Sequence, residues 1–228
     1  MRWLLLALLV LLLGLLLAVQ RGWLEVPPRW DPRAPLDVRA PPDLLSGLRL
    51  WRLRHNPELC AQALASSQLN YVSQPDSRLD SNCPLRKVVR VRSGEAGFNG
   101  SFLATCPLAV SYALFEYHGL QPLAKATFGQ PVARVEHYGS FACRTIGGSQ
   151  RWSRHATASA LDIAAFRFAD GRRISLAGNW RGDDRDARFL REVRDAACRY
   201  FQGVLGPDYN AAHQDHLHLE VGGFGVCR

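Results

Sequence analysis

From Trp3 to Val19 the chain is an uninterrupted apolar run behind Met1 and Arg2. As a helix this run is about 26 Å long, nearly the thickness of a bilayer's hydrocarbon core. These residues therefore belong to a targeting or anchoring element, and whatever folds does so from the remainder of the chain. Gln20 and Arg21 close the run, and Trp23 stands where an interfacial aromatic would fix its depth. A cleaved signal would have a shorter apolar stretch followed by small residues in an Ala-x-Ala pattern, and none follows. The expectation is an uncleaved anchor with its N-terminus in the cytoplasm, a cleaved signal being the alternative. Arg21, Arg29 and Arg33 on the far side weaken the positive-inside argument, so the compartment rests on the cysteines.

Six cysteines, Cys60, Cys83, Cys106, Cys143, Cys198 and Cys227, are dispersed through the exported part without a Cys-x-x-Cys pair. An even number behind an export element predicts disulfides in an oxidising compartment, in one of about 15 possible pairings. Cys227 would staple a terminus that otherwise frays. The net charge of +8 is almost wholly arginine, Lys87 and Lys125 being the only lysines. No compact basic stripe interleaved with aromatics appears, so a nucleic-acid partner is not expected. The charge suits anionic surroundings such as a cell envelope.

Between Val26 and Pro42 stand Pro27, Pro28, Pro32, Pro35, Pro41 and Pro42, a density that excludes a continuous helix or a central strand. The expected organisation is an anchor over residues 1–22, a Pro-rich extended spacer over 23–43 and one globular domain over 44–228. Helices are predicted around Pro57 to Ser67, Pro107 to Tyr117 and Asp184 to Gln202, the last with Phe189, Leu190, Val193, Ala197 and Phe201 on one face. Strands are predicted over Lys87 to Val91, Ala133 to Phe141, Ala160 to Phe168 and His216 to Val221, with Asp170-Gly171 turning into a hairpin arm from Arg173 to Leu176. The mixture predicts an α+β domain, a mainly antiparallel sheet flanked by helices.

Of seven histidines, three fall in the segment His213-Gln214-Asp215-His216-Leu217-His218. On a strand, residues two apart face the same side, so His216 and His218 would share a cleft while Leu217 and Leu219 enter the core. A His-x-His alone is weak evidence, because polar pairs on solvated strand faces are common. The second element is His155, seven positions before Asp162. Asp162 lies between Leu161 and Ile163, where a carboxylate is costly unless paired with a cation or a metal. Its bland reading is a salt bridge to an arginine, and that of His155 a solvated loop residue. Together with the distal His-x-His, two imidazoles and a carboxylate with an open position make a typical catalytic zinc shell. His55, His118 and His137 lack metal spacing and read as structural.

Ser153-Arg154-His155 with Ala160-Leu161-Asp162, followed by His-x-His, resembles the zinc peptidase superfamily of D-Ala-D-Ala peptidases, the murein endopeptidase and the hedgehog domain. His213, His216 and His218 have the murein endopeptidase spacing. The stretch from Ser153 to His218, with Cys198, Phe201 and Val204-Leu205-Gly206-Pro207-Asp208-Tyr209-Asn210, resembles most closely the bacterial extensin-like C-terminal family. The resemblance implies a hedgehog/DD-peptidase-like zinc fold with one zinc ion on His155, Asp162 and His218. His213 and His216 become the candidate catalytic residues, and Ser153 and Arg154 the candidates for substrate contacts. Asp215 is a candidate to fix a histidine tautomer, or else a solvated acid at a strand start. Two departures stand out: Ala158 replaces a glycine common in the superfamily, and no Glu precedes His216.

The implied activity is zinc-dependent hydrolysis of peptide bonds in peptidoglycan stem peptides or cross-links, of the D,D-carboxypeptidase or murein endopeptidase type. The domain would face the periplasm, tethered to the inner membrane through residues 3–19. A non-catalytic zinc-containing cell-wall binding module of the same fold is the competing expectation, and a disulfide-stabilised domain without metal ranks last.

Overall fold

The computed structural model describes residues 1–77, 82–223 and 225–228. Its first element, α1 (Arg2–Gln20), has no buried residue: it is an apolar helix of the length of a signal sequence or membrane anchor. The following Pro-rich stretch contains no helix or strand, as expected, but it is not free of the domain. Leu36 and Val38 are buried in the core, the Val38 N–H donates to Ser66 Oγ (2.9 Å), and His118 Nε2 donates to the Val38 carbonyl (2.8 Å). Arg49 reaches back to Asp43 and to the Pro28 and Arg29 carbonyls.

Two short helices follow, α2 (Ser46–His55) and α3 (Pro57–Ala65). Asn56 starts α3 by accepting the Glu58 and Leu59 N–H groups, both at 3.0 Å, with Pro57 in the first turn where its missing N–H costs nothing. Strands β1 (Asn70–Ser73), β2 (Val88–Ser93), β3 (Gly97–Phe98) and β4 (Phe102–Thr105) lead into α4 (Cys106–Phe115). From Leu108 to Phe115 every residue of α4 is buried, which makes it the central helix rather than an amphipathic one. A π-helical turn over Glu116–Leu120 carries it into α5 (Gln121–Phe128), which stops at Gly129 in the left-handed conformation.

The second half supplies β5 (Val132–Gly139), β6 (Ala160–Phe168), β7 (Arg173–Ser175), α6 (Leu176–Asn179), α7 (Arg185–Ala197), β8 (Gly203–Leu205), β9 (Leu217–Glu220) and β10 (Val226–Cys227). Asp184 caps α7 through the Ala187 N–H (2.8 Å), and Phe189, Leu190, Val193 and Ala197 form its buried face. One small sheet has the order β1-β2-β4. The larger has the order β10-β8-β9-β6-β5-β3, with β7 on β6. The domain is therefore mixed α/β, as expected in outline.

The larger sheet is mixed rather than mainly antiparallel, because β3 runs parallel to β5 at one edge and β10 parallel to β8 at the other. Both edge strands are two residues long, and β5 is reached from β3 by the kind of helical crossover that parallel pairing requires. Periodicity cannot detect strands so short. β8 is a second difference: it forms directly after the helix predicted over Asp184 to Gln202, where no strand was expected.

Strand β6 is buried on both faces. Leu161, Ile163, Leu217 and Leu219 are fully buried, and the β6–β9 register sets Asp162 opposite His218 and Ala160 opposite Glu220. Asp162, His218 and Glu220 thus emerge together on the face opposite the core. Three disulfides, Cys60–Cys106, Cys83–Cys143 and Cys198–Cys227, tie α3 to α4, the loop before β2 to the loop after β5, and the end of α7 to β10.

Candidate metal centre

Asp162 is delivered by β6, His218 by its antiparallel partner β9, and His155 by a 3-10 turn over Arg154–Thr157. That turn is fixed locally. Ser153 Oγ accepts the His155 N–H (3.2 Å), and Ala158 closes the turn at φ 52°, the left-handed position for which glycine is the usual residue. His155 Nε2 lies 3.1 Å from His218 Nδ1 and 3.1 Å from Asp162 Oδ2, and His218 Nδ1 lies 2.9 Å from Asp162 Oδ1. One donor atom from each residue falls within 4.8 Å of the others. A tetrahedral ion with bonds of about 2.0–2.1 Å needs donors about 3.3 Å apart, so little adjustment separates the triad from a metal shell.

The outer hydrogen bonds set the tautomers. His155 Nδ1 faces the Ser140 carbonyl at 3.2 Å, an acceptor only, so Nδ1 carries the hydrogen and Nε2 presents its lone pair to the triad. His218 Nε2 faces Glu220 Oε2 at 3.1 Å, which in the same way frees Nδ1 to act as a ligand. Both imidazoles are thus oriented by second partners, as metal-bound histidines generally are.

Electrostatics agree with the geometry. Burial works against a charge on His218, but the hydrogen bonds and charges of Asp162 and Glu220 outweigh it and raise its pKa to about 9. Burial likewise opposes the Asp162 carboxylate, which His155 and His218 hold far below the usual carboxylate range. Without a metal, His218 is thus protonated and its Nδ1 donates to the ionised Asp162, and a divalent cation would take the place of that proton. The donor set of two nitrogens and a carboxylate suits zinc.

The remaining predicted residues border this triad. His216 donates from Nδ1 to Asp215 Oδ1 (2.8 Å), and its Nε2 is 3.6 Å from Asp162 Oδ1, beside the triad rather than in it. Tyr138 Oη donates to the other oxygen of Asp215 (3.3 Å), so Asp215 is an anchored acid. His213 packs its ring 5.3 Å from His216 and 5.7 Å from His218. Its Nδ1 meets Asn210 Oδ1 at 2.7 Å, and that oxygen also accepts the Ala212 N–H, so His213 Nδ1 is the donor and Nε2 keeps a lone pair. Burial, with the neighbouring His218 and His216, lowers its pKa to about 4. Ser153 is buried, its hydroxyl oxygen engaged within the turn. Arg154 donates to the Gly222 carbonyl.

Glu220, Ser140 and Asn210 escaped the sequence reading. Glu220 had a signal: it is two residues beyond His218 on the same strand face. Nothing in the sequence marks the Ser140 carbonyl, since its role depends on where β5 ends in space. His55, His118 and His137 are structural as expected, each ring bonded to a backbone carbonyl.

The fold and site together define a mixed α/β domain with an internal His/Asp/His cluster of metal-ligand type. A family model described as the extensin-like protein C-terminus matches residues 58–228, and the chain belongs to that family. No curated protein and no solved structure matches it.

Proposed function

We propose that this domain is a zinc-dependent hydrolase of the bacterial cell envelope that cleaves peptide bonds in peptidoglycan stem peptides or cross-links. The observation that carries the proposal is the aim of the two imidazoles: His155 Nε2 and His218 Nδ1 converge on one place beside Asp162, the other nitrogen of each ring held by an acceptor behind it. The pattern Ser-x-His-x6-Asp with a distal His-x-His supports the kinship with zinc D,D-peptidases and, with it, their fold and substrate class. When bound, zinc acidifies water to a pKa near about 7 and polarises a carbonyl oxygen.

The protein's own residues supply the proton handling. His213 Nε2 takes the proton from water and, with its pKa held low, gives it up readily to the leaving amine, with Asn210 holding the ring's tautomer. His216, oriented by Asp215 and Tyr138, stands next to the carboxylate ligand and stabilises the developing oxyanion. Ser153 positions His155 through its backbone N–H. On this reading α1 tethers the domain to the inner membrane with its active face in the periplasm.

The test is hydrolysis of purified muropeptides by the full chain, followed by mass spectrometry, with and without chelator. We expect chelator-sensitive cleavage, and in His213→Ala a loss of about 10²–10⁴ in kcat with zinc content unchanged. Stoichiometric zinc without cleavage of any stem peptide would sink the hydrolase reading and leave a zinc-containing wall-binding module.

A further inference from the structure

A groove of about 960 Å³ lies between α2, α3 and the small sheet. Four cations line it, Arg54, Arg86, Lys87 and Arg154, together with His55, and no carboxylate does so among the described residues. Elsewhere two arginines with little exposure are paired: Arg49 meets Asp43, and Arg194 meets Asp195. Arg54 meets no carboxylate among the described residues. It is half-buried, burial alone depresses its pKa, and its Nε is buried without a hydrogen-bond partner. Such a group is costly unless something brings an anion to it. Lys87 adds a second oddity, a non-glycine residue in the left-handed region at φ 51° on the groove's rim.

Apolar side chains, among them Leu53, Leu64, Val89 and Pro107, line the groove as well, beside the polar Ser73, Gln74 and Gln202. At the rim Trp51 is 56 % exposed, and with Leu48 and Leu44, three and seven residues earlier, it forms an outward apolar stripe. α2 is therefore apolar on two sides, with Leu50 and Leu53 facing the core and this stripe facing out. It is also the helix onto which Arg49 pins the segment arriving from α1.

We propose that the groove binds an anionic lipid, whose phosphate meets Arg54, Arg86 and Lys87 while its chain lies along Leu53, Leu64 and Val89. Guanidinium groups grip phosphate oxygens in pairs, and the volume exceeds what a bare headgroup fills. Arg54, Arg86 and Lys87 are not part of the metal centre, although Arg154, next to His155, lines the groove too, and the proposal does not depend on the hydrolase reading.

The test uses the full chain in non-ionic detergent, titrated calorimetrically with dihexanoyl phosphatidylglycerol below its critical micelle concentration. Dihexanoyl phosphatidylcholine and glycerol 3-phosphate serve as the zwitterionic and headgroup-only arms. We expect saturable binding of the anionic lipid, at least about tenfold weaker binding in Arg54→Gln, and similarly weaker binding in Lys87→Asn, with zinc content unchanged. Lys87 is exposed and asparagine tolerates its backbone conformation, so that variant decides the matter if Arg54→Gln fails to fold. Equal affinity for phosphatidylcholine, equal affinity for glycerol 3-phosphate, or wild-type binding by a folded Lys87→Asn would each overturn the proposal.

Discussion

Glu220 does for His218 what the Ser140 carbonyl does for His155: it takes the hydrogen on one ring nitrogen so that the other faces the triad. Glu220→Gln keeps the size but offers either an amide oxygen or an amide N–H to His218 Nε2, and no full charge. In chelator competition we expect zinc affinity to fall about 10–100-fold, with the fold retained; unchanged affinity would mean that Glu220 does not orient the ligand. Much of the triad was legible in the sequence because its members are chemically conspicuous: a carboxylate inside an apolar strand, and two histidines at strand spacing. Glu220 was legible by the same period of two. Asn210 and Ser140 were not, since an amide in a loop and a backbone carbonyl acquire their roles only when β5, β6 and β9 come together. Ala158 takes the left-handed conformation that glycine adopts without steric cost, and shows that the turn holds its shape with a methyl group present.

Among elements, the joint between α4 and α5 carries the least expected chemistry. Sequence patterning gave α4 to within a turn of each end, but a π-helical turn has no signature in hydrophobic period, so Glu116 passed unnoticed. Its carboxylate, 2 % exposed, accepts the Glu95 and Ala96 N–H groups and the Tyr112 hydroxyl. A side chain at Gly94 would collide with it. Burial outweighs these hydrogen bonds and raises its pKa from 4.5 to about 7. A carboxyl raised on folding contributes stability that is fully present below pH 4.5 and is lost as pH rises through about 7. Across that window this one group should lower stability by about 1.4 kcal/mol per pH unit. Urea titrations of the zinc-loaded protein at pH 4.5 to 7.5 should show Glu116→Gln losing that slope relative to wild type. Parallel pH profiles would place the titration elsewhere.

At the level of the whole molecule, the sequence separated an apolar leader, a proline-rich stretch and one disulfide-bonded domain. It misjudged how the parts meet. Prolines exclude helix and strand but say nothing about docking, and Leu36 and Val38 bury themselves in the domain core, so the stretch between α1 and the domain is shorter than an extended spacer would be. Sheet direction was misjudged for a related reason: parallel edges arise from crossovers over long stretches of chain, which local periodicity does not encode. The core of the proposal is that three residues from a loop and two strands converge to hold one zinc ion. Its most direct test is metal analysis of the purified full chain, wild type beside His218→Ala, after dialysis against metal-free buffer. This proposal predicts close to one zinc per wild-type chain and almost none in a variant that remains folded; wild-type protein without bound metal, or a folded variant that retains it, would contradict the assignment.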